Sequence, residues 1–99
     1  MCIRDRFILG INTLGLEADH SLAGWLRHDP ERVAAVMADA VALGAALGGQ
    51  VDTDRAISMA REAMIALGEY PAAGRSAQAR KARARTEAER LGLELASFA

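Results

Sequence analysis

Ninety-nine residues make one domain at most, and a folded chain of this length buries roughly two-thirds of its extended surface. Apolar residues reach 52% but aromatic ones only 4%, so alanine and leucine carry the packing, which suits close-packed helices and argues against a thick sheet core. A net charge of −1 argues against wholesale nucleic-acid binding, the single cysteine excludes an intrachain disulfide, and no apolar run approaches the ~20 residues of a membrane span.

The default compartment is therefore the cytoplasm. Charge is nevertheless unevenly placed: residues 1–72 hold six basic and ten acidic side chains, net −4, whereas 73–99 hold six basic and three acidic, net +3. Any anion site is expected in the tail.

In chain order, Met1 to Arg6 reads MCIRDR, which resembles the translated remnant of a sequencing adapter fused to a reading frame. Residues 1–6 are accordingly set apart as an added or disordered end, residues 7–99 are expected to form the domain, and the chain is expected to be a C-terminal fragment. Phe7, Ile8, Leu9, Ile11, Leu14 and Leu16 then form an apolar segment whose period fits a buried helix or a strand; helix is the reading taken. Ser21 caps a short amphipathic piece with Leu22, Trp25 and Leu26 on one face, and Trp25 is expected to anchor it.

Asp29 to Gly48 is the best-specified element. Asp29 caps its start, Pro30 suits the first helical position, and Glu31 favours the positive end of the dipole. Val33, Val36, Met37, Ala40, Leu43 and Leu47 recur at helical spacing, and Gly48-Gly49 stops the helix. A second amphipathic helix starts at Asp52-Thr53-Asp54 and ends at Gly68, with Ile57, Ala60, Met64 and Leu67 as its buried stripe and Arg55, Arg61 and Glu62 facing water. The two helices should lie antiparallel over one core. After a linker from Glu69 to Gly74, punctuated by Tyr70-Pro71, Arg75, Arg80, Lys81, Arg83 and Arg85 crowd five cations without an acid, and Leu91, Leu93, Leu95 and Phe98 follow. The expected fold is all-α, a single helical bundle domain of four or five helices.

Chemical motifs are thin. The sequence has no GxGxxG, phosphate loop, CxxC pair or HExxH, so it supports no self-contained nucleotide or zinc site, and no metal ligands or catalytic residues are assigned. His20 and His28 each adjoin an aspartate but read as exposed turn histidines. Met37, Met59 and Met64 read as core gap-fillers.

Several of these pieces together resemble the C-terminal domain of ketopantoate reductases: Asn12-Thr13-Leu14, the His-Asp-Pro-Glu start at 28–31, the alanine-rich helix ending Ala-Leu-Gly-Gly, and Arg-Thr-Glu at 85–87. The likeness covers most of residues 7–95. It implies a helical substrate domain that follows an NADP-binding Rossmann domain, with hydride transfer to the keto group of 2-dehydropantoate. It also implies that Asn12, Ser76 and Glu87 bind a small keto or hydroxy acid through oriented hydrogen bonds. The sequence departs from the family at Thr13, which replaces a proline, and at Arg4, where the family's lysine would fall; Ser76 also lacks its following methionine, its spacing to Glu87 is one residue short, and the family's arginine is displaced to Arg83 or Arg85. In a purely structural role, Asn12 would end a helix, Ser76 would cap one, and Glu87 would pair with Arg83 across one turn. The alternative function is a small helical interaction module, possible as a homodimer, whose basic tail docks an acidic partner. RNA is a weaker fit for the tail, because no aromatic side chain is interleaved with the arginines.

Overall fold

The computed structural model describes residues 3–48, 52–72 and 76–99, with the side chains of residues 3 and 4 left out. Five α-helices occur in them, α1 Ile3–Glu17, α2 Leu22–His28, α3 Pro30–Ala46, α4 Thr53–Ala66 and α5 Ala77–Arg90, followed by a 3-10 turn at Ala96–Phe98. No β-strand occurs among the described residues, and the fold is the all-α bundle expected. No described helix is long and apolar enough to cross a membrane.

Three starts are capped by the residues whose chemistry suits them. Ser21 Oγ accepts from the Gly24 amide at 3.0 Å, Asp29 Oδ1 from Arg32 at 3.0 Å, and Asp52 Oδ1 from Arg55 at 3.2 Å. Asp29 also closes α2, donating its amide to the Trp25 carbonyl at 2.9 Å, so one residue serves as stop and start. Past α3, Gly48 adopts φ 101°, a left-handed conformation that costs glycine little. The Gly49 part of that stop lies outside the described residues.

The first helix begins at Ile3, inside the segment set apart as an added end; Arg6 belongs to it and is 5% exposed. The helical choice for the ambiguous Phe7–Leu16 segment holds, because its apolar residues pack on α3 instead of forming a ladder. Two glycines let α1 and α3 approach closely. A Cβ on Gly10 would come within 2.5 Å of Met37 Sδ, and one on Gly44 would overlap the Arg6 side chain.

Helix α3 runs through two adjoining cores. Val33, Val36 and Met37 pack with Leu14, Leu22, Trp25, Ala60, Met64 and Ala72. One to two turns later, Ala40 and Leu43 pack with Leu9, Ala84, Ala88 and Phe98, and Leu47, Leu91, Leu93 and Leu95 border that second cluster. Segment 91–99 therefore folds back onto the bundle. Val36 and Met64 are both sealed from solvent, as the paired apolar stripes require. Leu67 departs from its expected place: α4 stops at Ala66, Leu67 is the C-cap, and it is 42% exposed because it lies beyond the last helical turn.

Candidate functional site

Asn12 sits in the interior of α1, not at a helix end, and is buried. Its Nδ2 donates to the Ala72 carbonyl at 3.3 Å. The neighbouring Thr13 hydroxyl donates to Leu9 O at 2.8 Å, one turn back, so both buried polar side chains donate to backbone carbonyls.

Ser76 occupies the N-cap position of α5 and is exposed, but its hydroxyl makes no capping bond. Glu87 lies near the other end of the same helix. Eleven residues at ~1.5 Å each put the two about 16 Å apart along the axis. A small hydroxy acid cannot touch both, so the structure does not bring Asn12, Ser76 and Glu87 together. Glu87 takes Arg90 as its partner, accepting from Nη2 at 2.7 Å and Nε at 3.1 Å, and not Arg83. Arg90 and Arg83 lie three and four residues from Glu87, both about one turn away, and Arg83 and Glu87 border the same cleft.

That cleft, of about 490 Å³, is walled by Leu9, Leu43, Leu47, Ala84, Arg80 and Arg83, with Asp5 and Glu87 at its rim. A second, almost wholly apolar hollow of about 270 Å³ lies where Phe7, Met37 and Val41 face Ala56, Met59 and Ala63. Met59 is 45% exposed there, which removes it from the core role expected of it; Met37 and Met64 keep that role. The sequence signal for Met59 was its angular offset from the Ala60–Met64 stripe of α4.

His28 is exposed as expected, whereas His20 is half-buried. Their rings stack at 4.8 Å, and His20 meets Trp25 edge-on at 5.1 Å. The two imidazole planes differ by only 21°, so their in-plane lone pairs do not converge on one metal ion. Among the described residues, no group of three His, Cys, Asp or Glu side chains can hold a metal.

Comparison with known proteins finds no matching family model, no matching curated protein and no matching solved structure.

Proposed function

We propose that this chain is the helical substrate-side domain of a ketopantoate-reductase-like oxidoreductase, reducing a small 2-keto acid in concert with an NADP-binding domain. Support comes from the resemblance over residues 7–95 and from an all-helical fold of the kind that resemblance implies. The observation that carries the proposal is the bond from Asn12 to Ala72. Ser76 follows Ala72 by four residues, a stretch that spans at most about 14 Å, so Ser76 lies within that reach of the residue Asn12 holds.

In this reading the two residues have different tasks. Asn12 is buried and ties Ala72 to α1, acting as a positioning residue. Ser76 offers an exposed hydroxyl to a ligand oxygen. Glu87 lies outside this subsite. The dinucleotide does not fit on the described residues, which supply no strand-turn-helix cradle for a pyrophosphate, so the cofactor belongs to the other domain.

Titrating 2-dehydropantoate into the chain, with acetate as the control, and following backbone amide resonances tests the reading. Shifts at Ala72 and Ser76 that acetate does not reproduce are expected. Shifts confined to arginine-rich α5 and equal for both acids would defeat it.

A further inference from the structure

The cations of α5 are not neutralised within the fold. Among the described residues, Arg80, Lys81, Arg83 and Arg85 form no ion pair or hydrogen bond to a side chain, while Glu87, the acid nearest to them in sequence, is held by Arg90. Four like charges in six residues oppose one another along the helix. The fold keeps them on the outside of α5, where Ala77, Ala84 and Ala88 are the residues buried against the bundle.

Two of these cations stand over an apolar floor. Arg80 and Arg83 border the cleft of about 490 Å³ between α1, α3 and α5, whose base is Leu9, Leu43, Leu47 and Ala84. Arg80 and Arg83 are three residues apart, hence about one turn, and guanidinium groups at that spacing match carboxylates set one turn apart on another helix. A leucine stripe running beside such a pair of carboxylates on the same helix is of a size to cover the floor. We propose that this cleft docks an acidic amphipathic peptide of a partner protein, with carboxylates on Arg80 and Arg83 and an apolar anchor over Leu43 and Leu47.

The chemistry distinguishes this occupant from nucleic acid. No aromatic side chain lines the cleft to stack a base. The apolar floor has no counterpart in a sugar-phosphate chain. Lys81 and Arg85 border a different, polar hollow with Leu16, Gln78 and Ala82, so the two flanks of α5 can be tested separately. This inference does not depend on the keto-acid reading.

The probe is a fluorescein-labelled helical peptide of repeated Glu-Leu-Glu-Glu sequence, with binding followed by anisotropy on the full chain. Raising salt from about 50 mM to about 300 mM should weaken binding severalfold, because Arg83 is exposed and Arg80 only half-buried, so both charges are screened. Each exposed ion pair is worth up to about fivefold in an equilibrium constant, so the double change Arg80→Gln with Arg83→Gln should weaken binding roughly tenfold. Glutamine is a good helix former, and circular dichroism checks that α5 survives. The opposite-flank pair Lys81→Gln with Arg85→Gln should weaken it less than threefold. Equal loss from both pairs, tighter binding of a poly-U RNA than of the peptide, or sedimentation showing this cleft covered by a second copy of the chain would overturn the assignment.

Discussion

The side-chain amide of Asn12 donates to the carbonyl oxygen of Ala72 at 3.3 Å, a buried bond between residues 60 positions apart. It fastens the α4–α5 connection to α1. Asn12→Ala should leave the buried Ala72 carbonyl without its donor and lower stability by about 1–3 kcal/mol, a loss typical of an unsatisfied buried polar group. Urea unfolding followed by far-ultraviolet circular dichroism measures this, and the native helical signal should be unchanged.

Met64 and Leu67 lie three residues apart but should respond oppositely. Met64 is fully buried between α3 and α4, so Met64→Ala should cost about 2–5 kcal/mol through lost contacts and a residual cavity. Leu67 is 42% exposed past the end of α4, and Leu67→Ala should cost less than about 0.5 kcal/mol. Comparable losses in denaturant melts would contradict the end of α4 at Ala66.

Capping distinguishes three residues that look alike in the sequence. Ser21 and Asp29 each accept a backbone amide at 3.0 Å, so replacing either by alanine should cost about 1 kcal/mol. Ser76 makes no such bond, and Ser76→Ala should change stability by less than about 0.5 kcal/mol. Any larger effect of that change on ligand binding then reports recognition instead of folding.

The C-terminal turn is part of the second core. Phe98 is 1% exposed against Leu43 and Ala84, and the Ser97 amide donates to Asp39 Oδ2 at 3.1 Å. Phe98→Ala should therefore cost about 3–5 kcal/mol. Thermal unfolding measures the loss; a transition unmoved by the substitution would place the turn outside the cooperative unit.

What the sequence disclosed was what local chemistry decides. Ser21, Asp29 and Asp52 cap their helices because a short polar side chain reaches an amide three residues on, without help from the rest of the fold. The stripes through Val36 and Met64 followed from helical period. Leu67 was misplaced because period alone does not say where a helix stops. Glu87 has arginines three residues ahead and four residues behind it, and helical spacing alone allows either partner; the structure pairs it with Arg90. Asn12 could be named as a candidate from its resemblance, but its acceptor lies 60 residues away, and only the tertiary path supplies it.

Because α3 contributes Val33 and Val36 to one core and Ala40 and Leu43 to the other, neither half of the bundle can come apart while this helix stays intact on both sides. Its central amides should exchange with deuterium only when the whole molecule opens, whereas the ends of α4 and α5 can fray without it. The helix thus behaves as a shared spine: a lesion at either end is felt as a loss of protection along its entire length.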